Sequence, residues 1–466
     1  MQRNLMWFRN DLRVRDNPAL WHAGDSGVVI GLYVLTPEQW RRHQMAACRV
    51  DFILRTLEVL RADLNGLGIP LIVIEGMSFS AIPEIIAEFC HSHGISRAFW
   101  NREYPLDEVR RDDAVERVLD RAAIDVSSYH DRAIVAPGAL VKDDGSAYKV
   151  FTPFKKTWLR LLDEGLPDVF PAPRRQAMPL AVGQLDIPRS IPGFTSSIDQ
   201  ALWPAGESEA RQRLKSFADS ALNSYQKNRD LPAVSGTSTL SPYLAVGALS
   251  PQQCLMEALM ANPGEGVDTW IGELVWRDFY QHIVWHFPRV SKHKPFKSET
   301  DAVPWRYDQR DFLAWCEGKT GVPLVDAGMR QLAQTGWMHN RVRMVVAMFL
   351  SKNLLIDWRW GEGFFMENLI DGDFAANNGG WQWSASTGTD AVPYFRIFNP
   401  FTQGQRFDPN GDYIKHYISE LSCLSAREIH EPKYLRQCKP GGYPDVIVNI
   451  ADSRQRAMAA FKSLAF

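Results

Sequence analysis

Short runs of consecutive apolar residues alternate with longer amphipathic segments in the first part of the chain. The runs fit buried strands at Leu5–Phe8, Val28–Val34, Leu71–Ile74 and Ala98–Trp100. Between them, apolar residues recur every three or four positions, which predicts helices; one example is Ile53, Leu57, Leu60 and Leu64. Strands that alternate with helices favour a doubly wound, Rossmann-like parallel sheet covered by helices. Ligands bind such sheets at the carboxyl ends of the strands, here near residues 40–43 and 104–108.

The residue pattern changes twice in the rest of the chain. Between Gly165 and Gly206, prolines recur too often for regular structure, at positions 167, 171, 173, 179, 188, 192 and 204. Beyond Glu207 the pattern is helical and rich in aromatic residues. Because 466 residues exceed the size of one hydrophobic core, we predict an α/β domain at 1–130, a connector at 131–206 and an all-helical domain at 207–466.

Two helical segments of the third region place tryptophan beside charged and amide side chains. The residues that share a helix face are Glu273, Trp276, Arg277 and Tyr280 in one segment, and Trp337, Asn340, Arg341 and Met344 in the other. Such a mixture is too polar for a core stripe, and exposed tryptophans are unusual on a solvated face. We therefore predict that both faces line a cavity.

The most unusual stretch is residues 371–383, DGDFAANNGGWQW. Its amides and carboxylates can hydrogen-bond the edge of a flat heterocycle, and its glycines let the backbone approach a ligand. The alternative is a glycine-rich loop whose tryptophans pack into a core. Residues 236–244, GTSTLSPYL, offer hydroxyl and amide groups to a phosphate, although threonine and serine before proline also serve as a helix cap.

The amino-acid composition restricts the range of possible functions. Sixteen tryptophans in 466 residues favour ring binding or electron transfer. The net charge of −2 gives no overall attraction to nucleic acid. A DNA contact would therefore need a local basic cluster. One candidate cluster, interleaved with aromatic residues, is Arg277, Arg289, Lys292, Lys294 and Lys297. Taken alone, these residues would be better explained as an ordinary solvated surface.

Several classes of protein are disfavoured. Six scattered cysteines fit neither a disulfide framework nor a zinc site, and we predict no metal site. No motif for hydrolytic catalysis occurs. The N-terminus lacks the apolar core of a signal peptide, and no long apolar run predicts a membrane span, so we expect a cytoplasmic protein.

A series of motifs occurs in the order typical of one family. They are WFRNDLRVRDNPAL, YKVFTPF, GTSTLSPYLAVGALSP, ELVWRDFYQHI, TGWMHNRVRM, DWRWGE, the stretch at 371–383, and YFRIFNPFTQG. Through them the chain resembles, over nearly its whole length, the bacterial class I cyclobutane pyrimidine dimer photolyases of the photolyase/cryptochrome family. The resemblance implies an α/β antenna domain, a long connector and an all-helical domain that binds FAD in a folded conformation.

The resemblance also implies a reaction and a partner. Light-excited, reduced FAD (FADH⁻) would give an electron to a pyrimidine dimer flipped out of UV-damaged DNA, and the cyclobutane ring would split, so the enzyme would be a carbon–carbon lyase. We expect a monomer with no protein partner and no membrane association.

Matching positions carry the cofactor contacts over to this chain. The resemblance places around FAD Tyr225, Thr237, Ser238, Leu240, Ser241, Trp270, Arg277, Arg343, Asp371 and Asp373. Asn377 would face the flavin N5 atom, where a carboxamide can act as donor or acceptor. A triad that carries electrons from the surface to photoexcited, oxidised flavin is matched by Trp381, Trp358 and Trp305, each of which could singly be a core tryptophan.

Substrate contacts follow from the same resemblance. Trp276 and Trp383 match the walls that stack on the dimer, and Glu273 would hydrogen-bond a pyrimidine carbonyl. The other matched lesion contacts are Asn340 and Met344, and the matched DNA contacts are Arg229, Arg341 and Gln403.

A second chromophore is implied at the α/β domain. The positions that match a methenyltetrahydrofolate antenna site are His43, Asp107, Glu108 and Lys292, with a deazaflavin or an empty site as the alternatives. The chain departs from the family pattern at Asp107, where asparagine is usual, at Thr239, where arginine is usual, and at Lys433, where tryptophan is usual.

Other functions remain open beside dimer repair. A cryptochrome-type blue-light receptor or a plain flavin electron-transfer protein would share the flavin site but would not need Trp276, Asn340, Met344 and Trp383. A photolyase for (6-4) lesions would be expected to carry a histidine pair where this chain has residues 337–341, WMHNR.

Overall fold

The computed structural model describes residues 2–177, 183, 186–438 and 441–464, so that Pro179 of the predicted connector lies outside the described residues. The strands within these residues are β1 (Arg3–Phe8), β2 (Val28–Leu35), β3 (Leu71–Glu75), β4 (Arg97–Asn101) and β5 (Asp125–Tyr129). The helices up to Ser220 are α1 (Pro18–Ser26), α2 (Pro37–Arg42), α3 (Ala47–Gly66), α4 (Ile82–His93), α5 (Leu106–Arg121), α6 (Phe151–Glu164) and α7 (Glu207–Ser220).

The remaining helices are mostly short. They are α8 (Tyr225–Asn228), α9 (Ser241–Val246), α10 (Pro251–Met260), α11 (Glu265–His286), α12 (Gln309–Cys316), α13 (Pro323–Thr335), α14 (Asn340–Met348), α15 (Trp358–Asn368), α16 (Phe374–Ala385), α17 (Pro400–Phe407), α18 (Asp412–Tyr417), α19 (Ala426–His430), α20 (Pro432–Cys438) and α21 (Ile450–Lys462). A π-helical turn, Phe349–Asn353, continues α14, and the 3₁₀ turns are Phe79–Ala81, Gln200–Leu202, Leu222–Ser224, Val290–Lys292, Ser298–Ala302 and Ser419–Leu421. Among the described residues, none of the helices is both long enough and apolar enough to cross a bilayer.

The five strands form one parallel sheet in the order β3-β2-β1-β4-β5. The predicted doubly wound sheet is therefore confirmed, and its first four strands match the four predicted apolar runs. The fifth strand, Asp125–Tyr129, was not predicted, because it lies at the edge of the sheet and reads DVSSY, with partly exposed residues instead of a buried apolar run. Edge strands need only one paired side and tolerate such polarity.

The chain forms two compact units. The first consists of residues up to Leu222 together with Ser238–Pro288 and Ile370–Ala375, and its sheet core includes Leu5, Ile30 and Ile86. The second consists of Asn223–Thr237, Arg289–Leu369 and the residues from Ala376 onward. The boundaries predicted at residues 130 and 206 were drawn from composition, and they remain predictions.

The crevice where β1 and β4 end is filled by the first unit itself. In doubly wound sheets this point, where the strand order reverses, is the usual ligand site. Here the Leu12 N–H donates to the Val246 carbonyl at 3.2 Å. Gly247 has φ +72°, and a Cβ atom there would lie 2.0 Å from the Asn10 carbonyl oxygen, so this close approach requires glycine. A ligand of the sheet must therefore bind to one side of this point.

Candidate functional site

Helix α11 presents the first predicted mixed face. Glu273, Trp276 and Tyr280 are partly exposed, whereas Leu274 and Val275 between them are buried in the core. Trp270 is also buried, and its ring packs against Phe217 with centroids 5.1 Å apart. The helix therefore keeps the four-residue face of the prediction outside the packed core of its own unit.

The opposite side of α11 is held by Asp278. This fully buried carboxylate accepts hydrogen bonds from the Trp158 indole at 3.0 Å and from the backbone N–H groups of Ile134 and Val135 at 2.9 and 3.1 Å. Burial raises the pKa of Asp278 to about 6. Three donors on one carboxylate fix the rotation of the helix and hence the direction of its mixed face.

Trp276 is backed by a second aromatic ring. The ring of Phe151, the first residue of α6, lies parallel to the Trp276 ring, with an interplanar angle of 6° and centroids 3.5 Å apart. One face of the indole is thus covered by Phe151, while the side chain as a whole remains partly exposed. Phe151 was missed as a site residue even though it belongs to the motif YKVFTPF, because the motif does not reveal which ring it supports.

The segment from Asp371 to Asp373 is part of the first unit, and arginine side chains of that unit hold it in place. The Asp373 carboxylate pairs with Arg132 and accepts a hydrogen bond from Gln281 Nε2 at 3.2 Å. The Arg132 backbone carbonyl accepts from the guanidinium of Arg277, and Arg49 donates to the carbonyl between the two aspartates. Two predicted cofactor residues, Asp373 and Arg277, therefore meet at Arg132, which sequence analysis did not identify.

Residues 238–240 precede the short helix α9, which begins at Ser241. The N-cap residue is Leu240, and no side chain caps the helix by a hydrogen bond, so the interpretation of this segment as a simple cap is wrong. Arg213 donates to the Thr239 hydroxyl at 3.0 Å. A guanidinium from α7 therefore reaches the position where this chain has threonine instead of the family's usual arginine.

Two predicted DNA-binding residues of the second unit share one carboxylate. Asp230 lies 3.7 Å from Arg229 Nε and 2.8 Å from an Arg341 guanidinium nitrogen. The Arg341 guanidinium also lies 4.5 Å from the centroid of the Phe407 ring in α17, the helix that carries the partly exposed Gln403. Asp230 and the Phe407 ring thus orient the Arg341 guanidinium, whereas Arg229 only lies near the same carboxylate.

The second predicted mixed face is only partly helical: α14 begins at Asn340, so Trp337 precedes the helix and the prediction that it shares this helix face is wrong. Asn340, its first residue, is exposed, while Arg343 and Met344 are partly exposed beside the buried Val342 and Val345. Arg343 Nε donates to the Met338 carbonyl at 2.8 Å. As in α11, one side of the helix carries partly or fully exposed polar and methionine side chains, and the other side packs apolar residues into the core.

The asparagine pair in α16 contacts a buried glutamate of α15. Asn377 Nδ2 donates to the Glu362 carbonyl at 3.0 Å, and Asn378 Nδ2 donates to Glu362 Oε1 at 2.7 Å. Burial raises the pKa of Glu362 to about 7. Gln382 extends the network by donating to Asn378 Oδ1 at 2.8 Å. Because the Asn377 amide nitrogen is engaged, its carboxamide oxygen is the end that can accept from a ligand.

The glycine pair of the same stretch lies within helix α16, so a glycine-rich loop is not what forms here. A Cβ atom on Gly380 would meet nothing within 4 Å, which leaves this side of the helix open. Trp383, three residues later, is partly exposed, unlike Trp381, which is buried. The two tryptophans therefore differ in access to a ligand.

The three triad tryptophans belong to one apolar core. Trp381, Trp358 and Trp305 are all buried in the same cluster of the second unit. A Cβ atom on Gly361 would lie 2.0 Å from Trp381 Cη2, so only glycine allows α15 to approach this indole. Neither Trp381 nor Trp305 has a hydrogen-bond partner for its indole N–H among the described residues. Buried tryptophans with a purely structural role usually satisfy that group.

The predicted antenna residues of the first unit meet beside the sheet. His43 Nε2 lies 3.5 Å from Asp107 Oδ2, and His43 Nδ1 lies 3.6 Å from Glu108 Oε1. Burial raises the pKa of Glu108, and the edge of Phe79 closes one side of the imidazole at 5.6 Å between centroids. Lys292 belongs to the second unit and is exposed.

Two protein-family models match this chain. The model described as DNA photolyase matches residues 4–174, and the model described as FAD binding domain of DNA photolyase matches residues 270–463. A curated deoxyribodipyrimidine photo-lyase from Escherichia coli is 44% identical over 472 residues, which cover 99% of both chains.

Two solved structures are similar over the whole length. A Synechocystis cryptochrome has a TM-score of 0.89 and 29% identity, with 99% of each chain covered. An archaeal photolyase from Sulfolobus tokodaii, solved with two FAD molecules, has a TM-score of 0.83 and 29% identity, with 99% of this chain and 100% of that one covered.

Proposed function

Because this chain belongs to the DNA photolyase family, we infer that it is a light-dependent lyase that repairs cyclobutane pyrimidine dimers in DNA with FAD as cofactor. One observation supports this reaction most directly. Trp276 is partly exposed and covered on one face by Phe151, and it stands on the same helix face as Glu273. An indole supported in this way beside a carboxyl group suits a flipped pyrimidine pair, which offers flat rings and carbonyl edges.

The cofactor residues fit FAD. Arg213 brings a cation to Thr239, which lies between Ser238 and Leu240 in the chain. The residues proposed to contact the phosphates are Tyr225, Thr237, Ser238, Leu240 and Ser241. The fixed Asn377 carboxamide offers its oxygen, which can accept from the N5–H group of a reduced flavin. Trp270, Arg277, Arg343, Asp371 and Asp373 are assigned to the same cofactor. When bound, reduced and light-excited FAD supplies the electron that opens the cyclobutane ring.

The substrate residues divide into three roles. Trp276 and Trp383 stack on the extruded dimer. Glu273, Asn340 and Met344 contact its edges. We assign the contacts with the DNA backbone to Arg229, Arg341 and Gln403. Asp230 orients the Arg341 guanidinium at 2.8 Å, and a guanidinium oriented in this way loses less freedom when it binds a phosphate.

Dimer repair is tested with reduced, FAD-loaded protein and an oligonucleotide that contains one thymine dimer. Blue light should restore the pyrimidine absorbance, whereas a dark sample should not change. Bound, reduced FAD without any repair under light would overturn the proposed activity. The Glu273→Ala variant should lose more repair than dimer binding, with Glu273→Gln as its size-matched control; equal losses in binding and repair would show that Glu273 only binds.

A light receptor is the second candidate, because the fold is also similar to that of the Synechocystis cryptochrome. A receptor needs no pocket for an extruded dimer, so the same illumination experiment separates the two functions. Repair with multiple turnovers favours the lyase, and flavin photochemistry without repair favours the receptor.

The folate antenna is proposed for the site at His43. The partly buried Glu108 carboxyl and the neighbouring Asp107 offer acceptors to the amino and ring N–H groups of a pterin, and Lys292 is assigned to its acidic tail. Chromophores released from the purified protein by heat should include methenyltetrahydrofolate. A deazaflavin, a second FAD or no second chromophore would contradict this assignment. We further propose that the protein acts as a monomer in the cytoplasm, which size-exclusion chromatography and cell fractionation would test.

A further inference from the structure

A tryptophan outside the triad lies directly beside Trp381. The ring centroids of Trp315 and Trp381 are 6.0 Å apart, and the ring of Phe365 lies within 5.0 Å of Trp381 and 6.0 Å of Trp315. Trp315 is fully buried, and its indole N–H donates to the Val346 carbonyl at 3.1 Å. Two oxidisable indoles in contact inside one core can exchange an electron.

From Trp315 a line of aromatic rings continues to the protein surface. Its ring stacks on Phe312 at 5.9 Å between centroids, Phe312 meets Trp360 at 5.0 Å, and Trp360 meets Tyr307 at 5.7 Å. Tyr307 is 65% exposed. Electron tunnelling weakens steeply with distance, so a series of rings in contact favours transfer. Phe312 is hard to oxidise and would serve as a bridge between the two tryptophans.

The outer end of this line has a proton acceptor. The Tyr307 hydroxyl donates to Asp357 Oδ2 at 3.4 Å. Asp357 caps α15 by accepting from the Arg359 N–H, and it pairs with the Arg359 guanidinium at 3.1 Å, so the carboxylate is held in place. A tyrosine that loses an electron becomes strongly acidic, and a hydrogen-bonded carboxylate can then take its proton.

We propose that Trp315, Trp360 and Tyr307, bridged by Phe312, form a second electron route between the surface and Trp381, with Asp357 as the proton acceptor. The route rests on the proposed FAD function, which supplies a light-excited, oxidised flavin as the electron acceptor. After Trp381 has given up one electron, Trp315 replaces it, and Trp360 and Tyr307 follow in turn. The Tyr307 O–H bond breaks, its electron moves inward and its proton passes to Asp357. A thiol in solution then supplies one electron, and the proton returns to the tyrosine.

Photoreduction of oxidised, bound FAD in the presence of thiol tests the route. The Trp305→Phe variant removes the outer end of the triad and should still be photoreduced. The double variant Trp305→Phe/Tyr307→Phe should fall to the level of Trp381→Phe, which removes the residue common to both routes. If Trp305→Phe alone is as inert as Trp381→Phe, or if the double variant keeps the rate of the single one, the proposal is wrong.

The radical itself gives a readout that is independent of repair. Samples of Trp305→Phe frozen under illumination should show a tyrosyl radical by electron paramagnetic resonance, and the added Tyr307→Phe change should abolish it. The Asp357→Asn variant can still cap α15 but cannot take the proton, so it should also lose that signal. A tyrosyl signal that persists without Tyr307 would refute the assignment.

A matched control separates this route from the proposed function. Tyr307 is exposed, so Tyr307→Phe should keep the fold, the bound FAD and the repair rate of pre-reduced protein. If the unmodified protein repairs no dimers, the proposed function fails, whereas the radical measurement still decides the route.

Discussion

Replacing Phe151 with leucine removes the ring that covers one side of Trp276 while keeping an apolar side chain of similar length. The two rings are parallel at 3.5 Å between centroids, and aromatic pairs of this kind contribute about 0.5–1.5 kcal/mol beyond the area they bury. If this stacking fixes the indole for the dimer, the affinity for dimer-containing DNA should fall by about two- to twelve-fold, since about 1.4 kcal/mol corresponds to a factor of ten. Affinity for undamaged DNA should not change.

The assay for Phe151→Leu is equilibrium binding in the dark to matched oligonucleotides with and without one dimer, followed by repair kinetics. Phe151→Tyr is the control, because it keeps a stacking ring at the same place. Thermal unfolding separates a local effect from a loss of fold, since Phe151 is only partly buried. If both substitutions weaken dimer binding equally, or if undamaged DNA is bound equally less well, the ring does not act by orienting Trp276.

Three further predictions concern the cofactor and its surroundings. Trp381→Phe should abolish photoreduction of oxidised FAD but leave repair by pre-reduced protein largely intact; normal photoreduction would contradict its place at the start of the electron path. Arg213→Gln should weaken retention of FAD during gel filtration more than Arg211→Gln, a surface control on the same helix, because only Arg213 donates to Thr239. The pKa of Glu362 is raised from 4.5 to about 7, so the folded state holds an extra proton between these values and stability should fall as pH rises through them, by up to about 3 kcal/mol. In denaturant unfolding, the free energy of unfolding of Glu362→Gln should lack this pH dependence. If the variant keeps the same dependence on pH as the unmodified protein, the assignment to Glu362 is wrong.

Local patterns in the sequence predicted the elements well where burial is simple. The strands β1 to β4 are continuous apolar runs, and the mixed face of α11 follows from helical spacing alone. The edge strand β5 escaped because one free side removes the need for apolar residues. The helix through Gly379 and Gly380 could not be read from propensity, since two adjacent glycines disfavour a helix. Its packing against α15, where Gly361 admits Trp381, outweighs that preference.

The sequence indicated candidate site residues, but it did not indicate which other residues they contact. Asp373 was identified from its motif, whereas its ion pair with Arg132 joins residues 241 positions apart, and no spacing rule indicates such a pair. The same holds for Arg213 and Thr239. The threonine looked like the loss of a cation, yet a guanidinium from another helix reaches it. A departure from the family pattern therefore shows only which side chain is missing at one position. Whether a neighbouring residue supplies the same charge can be seen only in the folded structure.

The tryptophan content has a similar explanation. From sequence alone, sixteen tryptophans indicated ring binding or electron transfer without distinguishing the residues that serve each role. The structure separates them by burial: Trp276 and Trp383 are partly exposed, whereas Trp381, Trp358 and Trp315 are enclosed in a core. Enclosure protects an oxidised indole from water and keeps rings in contact, and access is what stacking on a base requires. One residue type can thus take both proposed functions, because the fold gives each copy a different exposure.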